Sequence, residues 1–238
     1  MTGAHRPRKR FGQHFLTNPG IVDNIVQAIG AGPADTLVEV GPGQGAITDP
    51  LLKSGALLHA IEFDRDLAAR LRERYGEVDN LRLHEADALK VDFSSLGMAL
   101  RVVGNLPYNI STPLLFHLLE SVDHIVDMHF MLQKEVVDRM CAEPGSKRYG
   151  RLTVMLQCHL QIEALFDVPP DSFAPPPRVM SAVVRLEPRR QKLDILDHAV
   201  LQKVVRQGFS QRRKTLRNTL RDSADDAGLE AAGINPDA

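Results

Sequence analysis

Apolar residues occur in five short runs between residues 36 and 133, and segments with helical periodicity separate the first three. The runs read TLVEV (36–40), ALLHAIE (56–62), LRLHEAD (81–87), LRVVGN (100–105) and HIVDMHFMLQ (124–133). Strands that alternate with helices predict a parallel sheet with crossover helices, which is a doubly wound α/β fold. Ligands of such folds bind beyond the carboxyl ends of the strands, so we expect the chemistry at that edge of the sheet.

The pattern changes after about residue 188, where a charged linker, EPRRQKLD (187–194), precedes a region with helical signals only. We therefore expect an α/β domain over residues 1–188, which includes a basic N-terminal segment at 1–20, and a small helical domain over 189–238. Apolar residues four positions apart predict one buried helix face in the second domain. They are Leu196, Val200 and Val204, and then Leu216 and Leu220.

Composition is that of an ordinary soluble globular protein, with 43% hydrophobic and 25% charged residues. The two cysteines form neither a disulfide framework nor a metal-ligand spacing, which favours a reducing compartment. No apolar run approaches the ~20 residues of a membrane span, and no apolar segment follows the basic N-terminus as in a secretory signal. We expect a cytoplasmic protein without a metal site or a membrane anchor, and a monomer.

The net charge of −1 conceals two concentrations of basic residues, one near each end of the chain. Such segregation is typical of proteins that bind a polyanion, and nucleic acid is the obvious one. A solvated helix face is the alternative for either run. The basic residues proposed to contact RNA are Arg8, Lys9, Arg10, Arg212, Arg213, Lys214 and Arg217.

A glycine-rich turn, EVGPGQGA (39–46), follows the first predicted strand and precedes a helix. Glycines at Gly41 and Gly43 allow the backbone to approach a ligand closely at a helix N-terminus. The spacing fits both the dinucleotide pattern and the form found in methyltransferases, so the turn alone leaves the ligand open.

Three acidic residues favour S-adenosylmethionine over NAD. Glu62 ends the second strand, where a carboxylate can accept both ribose hydroxyls of a nucleoside. Asp87 ends the third strand and can accept a hydrogen bond from an adenine amino group. A helix N-cap is the alternative for either acid, and for Asp87 alone it is equally favoured. Glu39 lies within an apolar strand, where a carboxylate needs a cationic partner such as an amino acid ammonium.

The fourth strand ends in Asn105-Leu106-Pro107-Tyr108, which read alone is a turn. Beside such a donor the residue types fit methyl transfer to an exocyclic adenine nitrogen. The side-chain oxygen of Asn105 and the Leu106 carbonyl, aimed by the rigid ring of Pro107, can accept from the amino group and stabilise its developing positive charge. Tyr108 offers a face for the base, and stacking of this kind contributes ~1–3 kcal/mol.

A second aromatic contact to the base is offered by Phe173 within VPPDSFAPPPRV (168–179). Five prolines limit the entropy that this loop loses when it orders around a ligand. A proline-rich connector with Phe173 packed in the core is the alternative.

Seven motifs together resemble the KsgA (RsmA) family, whose members are bacterial small-subunit rRNA adenine N6-dimethyltransferases. The resemblance extends from about residue 8 to 236. The motifs, in the family's order, are RKRFGQHFL (8–16), EVGPGQG (39–45), NLPYNIST (105–112), MLQKEVVDRM (131–140), YGRLTVM (149–155), FAPPPRVMSAVVRL (173–186) and QRRKTLRNTL (211–220).

The resemblance implies a Rossmann-like methyltransferase sheet, S-adenosylmethionine as donor with S-adenosylhomocysteine as product, and 16S rRNA of the small ribosomal subunit as partner. It also implies that residues 105–108 and Phe173 hold the target adenine. His14 departs from the family, which more often has asparagine there, and the chain ends at GINPDA, where relatives usually continue, so a shortened C-terminal domain is expected. The implied donor-site residues are His14, Leu16, Gly41, Glu62, Asp87 and Asn105.

Three alternative functions stay open from sequence. The 23S rRNA adenine methyltransferases of macrolide resistance share the glycine turn and a similar Asn-x-Pro-aromatic motif. A ribosome-assembly factor without catalysis would keep the basic runs, although the intact acids and Asn105 argue against loss of chemistry. An NAD-dependent oxidoreductase would leave both basic runs and the 105–108 motif unexplained.

Overall fold

The computed structural model describes residues 13–191, 193–211 and 213–238. Its strands are β1 (Phe15–Leu16), β2 (Thr36–Val40), β3 (Leu57–Glu62), β4 (Leu81–Glu85), β5 (Leu100–Asn105), β6 (Ile125–Gln133), β7 (Leu160–Val168), β8 (Phe173–Ala174) and β9 (Ser181–Pro188). Its helices are α1 (Pro19–Ile29), α2 (Thr48–Lys53), α3 (Arg65–Tyr75), α4 (Ser111–Leu119), α5 (Lys134–Met140), α6 (Arg151–Gln157), α7 (His198–Gly208), α8 (Leu216–Leu220) and α9 (Asp226–Ala231).

Seven strands form one sheet in the order β4-β3-β2-β5-β6-β9-β7. The five strands β4, β3, β2, β5 and β6 are parallel to one another, which confirms the five strands predicted from the apolar runs. Strand β9 is antiparallel to both β6 and β7, so the complete sheet is mixed. Strands β7 and β9 were not predicted from the sequence.

The order in which successive strands join the sheet changes direction between the neighbouring strands β2 and β5. From β2 the chain advances to β3 and β4 on one side, and it then returns to β5 and β6 on the other. A reversal of this kind leaves a crevice beyond the carboxyl ends of the two central strands. Gly41 follows β2 and Asn105 ends β5, so two of the predicted motifs meet at this crevice.

Local signals explain why the elements on either side of the crevice begin where they do. Asn18 caps α1 by accepting the backbone N–H groups of Gly20 and Ile21 at 3.0 and 3.3 Å. Asp64 caps α3 by accepting the N–H of Asp66 at 3.1 Å. A capping carboxylate or amide of this kind stabilises a helix by about 1 kcal/mol.

The hydrophobic core beneath the crevice contains buried side chains from α1, α2 and the central strands. Leu37, Leu51 and Leu58 are fully buried there. The two-stranded sheet of β1 and β8 adds Leu16 and Phe173 to the same cluster. The core therefore includes side chains from both the seven-stranded sheet and the β1–β8 sheet.

By contacts between residues, the chain divides into two compact units: Met1–Asp138 with Leu160–Pro188, and Arg139–His159 with Arg189–Ala238. The predicted division at residue 188 does not include the segment 139–159 in the second unit. Within that unit the Thr153 hydroxyl donates to the Arg139 carbonyl at 2.6 Å. The His159 and His198 rings stack with centroids 5.2 Å apart.

The apolar helix face predicted for the second unit is wrong in its first half. Leu196 is 95% exposed and Val200 is 54% exposed, whereas Val205 is buried. The reason is that α7 begins only at His198, after the Asp197 cap, so Leu196 precedes the helix. Leu220 of α8 is buried, as the spacing predicted. Among the described residues, no helix has the length and apolar character needed to cross a bilayer.

Candidate functional site

A cavity of about 340 Å³ lies at the carboxyl ends of the central strands. This volume is within the roughly 300–1,000 Å³ of small-molecule sites. The cavity is lined by residues from the segments 13–15, 40–43, 61–67, 86–89 and 105–110. The turns that follow four neighbouring parallel strands therefore meet the segment before β1 around one space.

The glycine turn brings backbone directly to the cavity wall. Gly41 and Gly43 have φ values of 71° and 59°, in the left-handed region that favours glycine. A Cβ atom on Gly43 would lie 3.3 Å from the Phe15 ring. Within β5, a Cβ on Gly104 would lie only 2.4 Å from the Val40 carbonyl oxygen, so β2 and β5 approach each other closely because Gly104 has no side chain.

Glu62 is buried at the end of β3, and its carboxylate is fixed by the backbone. One oxygen accepts the Asp64 N–H at 2.8 Å, and the other accepts the Gly43 N–H at 3.1 Å. Burial raises the pKa of Glu62, while the two backbone donors partly offset this rise. Gln13 Nε2 in turn donates to Asp64 at 3.1 Å, so the segment before β1 closes over the same turn.

Asp87 lines the cavity and also caps the short 3₁₀ turn Ala88–Lys90. Its Oδ1 accepts the Leu89 N–H at 3.0 Å. The two readings of Asp87 that the sequence left open are therefore compatible, because a carboxylate has a second oxygen that can serve a ligand.

Glu39 is only 2% exposed and does not line the cavity. It accepts the Thr48 hydroxyl at 2.7 Å, which ties β2 to the first residue of α2. Burial raises the pKa of Glu39 to about 7. The structure thus gives Glu39 a neutral partner in Thr48, and its contact with the ammonium group of a donor stays a prediction.

Asn105 presents its side-chain oxygen as the free end of a fixed amide. Its Nδ2 lies 3.0 Å from the His14 carbonyl oxygen, which can only accept, so the nitrogen must face that carbonyl. The backbone after it is also held, since the Leu106 N–H donates to the Met131 carbonyl at 3.2 Å and the Pro107 carbonyl accepts the Ile110 N–H at 3.1 Å. The Asn105 oxygen is therefore the accepting end of a fixed amide at the cavity, and its action on an adenine amino group stays a prediction.

Tyr108 is held at its hydroxyl and at its ring. The hydroxyl lies 3.0 Å from Ser181 Oγ, and burial raises the Tyr108 pKa. The ring stacks with the His14 imidazole, with centroids 5.8 Å apart and planes 28° apart. His14 Nδ1 donates to the Pro175 carbonyl at 2.7 Å.

Phe173 and Leu16 are not brought to the cavity. Both side chains are buried, at 4% and 6% exposure, and pack in the core together with Met131 and Val183. They face each other across the pairing of β1 with β8. The core-packing alternative for Phe173 is what the structure shows, and its stacking on a base, like the donor contact of Leu16, stays a prediction.

Several residues that line the cavity were not predicted from the sequence, and Gln13, Phe63 and Asp64 are among them. Phe63 is the most informative, because this large aromatic side chain is 59% exposed directly after Glu62. An aromatic residue next to an acid at a strand end was the signal that could have found it, since an adenine ring can stack there.

The basic residues proposed to contact RNA are described only in part. Arg8, Lys9, Arg10 and Arg212 lie outside the described residues. Arg213 and Lys214 are exposed and lie between α7 and α8, whereas Arg217 lies within α8. Arg217 forms ion pairs with Asp226 at 2.9 Å and Asp237 at 3.4 Å, which weakens its case as a phosphate contact.

The chain is similar to proteins of one known family over nearly its whole length. The sequence profile of the ribosomal RNA adenine dimethylases matches residues 4–238. The chain belongs to that family. A protein named ribosomal RNA small subunit methyltransferase A from Aromatoleum aromaticum is 57% identical over 233 residues, which is 98% of this chain and 88% of that protein. The protein of the same name from Methylococcus capsulatus is 56% identical over 98% of this chain and 92% of its own length.

Solved structures of rRNA methyltransferases share the fold. A dimethyladenosine transferase from Plasmodium falciparum superposes with a TM-score of 0.78 at 32% identity, over 92% of this chain and 78% of that one. The 23S rRNA methyltransferase ErmE superposes with a TM-score of 0.75 at 25% identity, over 94% of this chain and 92% of that one. The predicted Rossmann-like methyltransferase fold is confirmed, and the chain is a methyltransferase that uses S-adenosylmethionine chemistry.

Proposed function

We propose that the protein transfers methyl groups from S-adenosylmethionine to N6 of two adjacent adenosines near the 3′ end of 16S rRNA, forming dimethyladenosines during maturation of the small ribosomal subunit. The observation that carries the proposal is the fixed Asn105 amide, which presents an acceptor on the same cavity as Glu62 and Asp87. The identities of 57% and 56% to small-subunit methyltransferases support the choice of rRNA.

The cavity residues fit the donor on three counts. The Glu62 carboxylate is anchored by two backbone N–H groups and lines the cavity, as a ribose-binding acid should. Gly41 and Gly43 leave backbone exposed where a side chain would block the amino acid part of the donor. Phe63 supplies an exposed ring for the adenine, and Asp87 supplies an oxygen for its amino group.

The donor, when bound, supplies a methyl group that is attached to a sulfonium sulfur. After the transfer, the sulfur leaves as a neutral sulfide. The chain's part is to make the adenine amino group a better nucleophile. Asn105 Oδ1 and the Leu106 carbonyl accept its N–H groups, which draws the nitrogen toward tetrahedral geometry and stabilises the positive charge that develops on it. Tyr108 offers a face to the base. The amino proton leaves to solvent, so no strong base is needed.

Methylation of 23S rRNA is the second candidate function, and sequence identity supports it less than it supports methylation of 16S rRNA. Identity to ErmE is 25%, compared with 57% to the small-subunit enzyme from Aromatoleum aromaticum. A purely non-catalytic assembly role is disfavoured because Glu62, Asp87 and Asn105 all reach the cavity. A cytoplasmic location, a monomeric state, the division into domains at 188 and the RNA contacts of the basic runs stay predictions.

The proposal is tested by offering radiolabelled S-adenosylmethionine to the protein with small-subunit particles that lack the modification, and in parallel with unmodified large subunits. We expect label in the small-subunit RNA alone. Label in the large-subunit RNA would support the 23S alternative, and no label in either particle despite measurable donor binding would support the assembly role.

A further inference from the structure

His14 contacts both Asn105 and Tyr108, two residues proposed to hold the target base. Its carbonyl oxygen accepts the Asn105 amide at 3.0 Å, and its ring stacks on Tyr108. Its Nδ1 is tied to the Pro175 carbonyl at 2.7 Å, so the imidazole is fixed at its far side by the proline-rich loop. One residue thus fixes the amide that accepts from the amino group and the ring on which the base is proposed to stack.

The spacing between the two rings decides which face of Tyr108 is available. Two rings that sandwich a base lie about 7 Å apart, which is twice the ~3.4 Å between stacked bases. The His14 and Tyr108 centroids are only 5.8 Å apart, within the 4.5–7 Å of rings in direct contact. No base fits between them, so the imidazole covers one face of Tyr108.

A hydrogen bond at the hydroxyl also restricts the position of the Tyr108 ring. Its hydroxyl lies 3.0 Å from Oγ of Ser181, which is itself 1% exposed and begins β9. One face of Tyr108 contacts His14 and the hydroxyl is held by Ser181. Because Tyr108 also lines the cavity, we infer that a ligand there meets the opposite face of the ring.

We propose that His14 is a positioning residue for the target base: its ring covers one face of Tyr108 and so fixes the opposite face as the one on which the adenine stacks. The inference rests on the proposed function and deepens it. It also separates two roles within one residue, since the backbone carbonyl orients Asn105 whichever side chain is present, whereas the ring acts on Tyr108 alone. A substitution at His14 should therefore affect the methyl-transfer step more than donor binding.

The ring contact is tested without activity by nuclear magnetic resonance of ring-labelled tyrosine. The chain has three tyrosines and no tryptophan, so Tyr75 and Tyr149 are internal references. We expect His14→Ala to move the Tyr108 resonance, assigned through Tyr108→Phe, and to leave the two references in place. His124→Ala is the matched control, because His124 also bonds a backbone carbonyl through Nδ1, that of Gly97 at 3.1 Å, outside the cavity. An unmoved Tyr108 resonance in His14→Ala would overturn the proposal.

The positioning role is tested by kinetics on unmodified small-subunit particles at saturating donor. We expect His14→Ala to lower kcat by roughly 2- to 10-fold, the effect of losing one stacked aromatic pair, with donor affinity within about twofold of wild type. His14→Phe keeps a ring over Tyr108 and should restore most of kcat. The effect of Ser181→Ala should not add fully to that of His14→Ala, because both act on Tyr108.

Each remaining outcome has a distinct meaning. A loss confined to donor affinity, with normal kcat at saturating donor, would overturn the proposal in favour of a direct donor contact. A His14→Phe variant that folds with the wild-type melting temperature yet stays as slow as His14→Ala would also overturn it. Inactivity of the wild-type protein on particles would refute the proposed function instead, and the resonance experiment would still decide whether His14 positions the ring.

Discussion

The backbone N–H of Gly43 lies 3.1 Å from Oε2 of Glu62, so the glycine turn after β2 and the acid that ends β3 form one hydrogen-bonded unit. The contact orients the carboxylate toward the cavity before any ligand arrives. It also explains why two motifs 19 residues apart act together.

Replacement of Glu62 by alanine is expected to weaken donor binding strongly and RNA binding little. Each hydrogen bond to a charged group contributes roughly 1.5–3 kcal/mol, so donor affinity should fall at least about tenfold by calorimetry. Glu85→Ala is the matched control, because Glu85 pairs in register with Glu62 on β4 but is exposed and forms ion pairs with Arg65 and Arg72. Equal donor affinity in Glu62→Ala and Glu85→Ala would reduce Glu62 to a structural anchor.

Replacement of Asn105 by alanine is expected to lower turnover by ~10²–10³-fold, by analogy with the loss of one oxyanion-hole donor. The fold and most of the RNA affinity should be kept, because the amide oxygen is assigned to the reacting nitrogen and not to packing. Single-turnover methylation of small-subunit particles measures the effect. Turnover within a few-fold of wild type would show that the Asn105 oxygen does not act on the amino group.

Replacement of Glu39 by glutamine is expected to stabilise the protein at alkaline pH while it weakens donor binding. The pKa of Glu39 is raised from 4.5 to about 7 in the folded state. Its stabilising contribution is therefore fully present below about pH 4.5 and is lost as the pH rises toward 7, by roughly 3 kcal/mol at ~1.4 kcal/mol per pKa unit. Urea unfolding should show Glu39→Gln more stable than wild type at pH 8 and nearly equal at pH 4.5.

The two readouts for Glu39 separate two roles. A gain in stability at pH 8 without any loss of donor affinity would mean that Glu39 serves only the contact with Thr48. No gain in stability at pH 8 would mean that the folded protein tolerates the charge, and the raised pKa would be refuted.

Replacement of Arg212, Arg213 and Lys214 by glutamine is expected to weaken binding to small-subunit particles and to flatten its salt dependence. Each lost phosphate contact removes about 0.7–0.9 from the slope of log affinity against log salt concentration. Arg217→Gln is the control, since Arg217 is already paired with Asp226 and Asp237. If the triple variant keeps the wild-type slope, these three side chains are merely solvated.

The sequence predicts those parts of the fold that short-range patterns determine. Short apolar runs predict β2 to β6, and the carboxyl-end rule places Glu62 and Asn105 on one cavity. Strand β9 was missed because its direction and partners depend on pairing with the distant β6 and β7. Local residue patterns contain little information about such long-range pairing.

The errors in the second unit have a similar origin. Spacing predicted that Leu196 and Val200 are buried, but helix α7 starts at His198 and buries Val205 instead. Leu196 precedes the helix, so helical spacing does not apply to it. Within α7, one residue corresponds to a rotation of about 100°, so a face that buries Val205 leaves Val200 exposed. In the first unit, the burial of Phe173 depends on the pairing of β8 with β1, which is distant in the sequence, so local patterns could not predict it.

Mapping of the methylated nucleotides is the most direct test of the central claim. Small-subunit particles without the modification would be incubated with the protein and donor, and the 16S rRNA would be digested and analysed by mass spectrometry alongside an Asn105→Ala reaction. The account predicts N6,N6-dimethyladenosine at two adjacent positions near the 3′ end with the wild-type protein, and almost none with Asn105→Ala. Methyl groups at other nucleotides, or equal methylation by the two proteins, would contradict it.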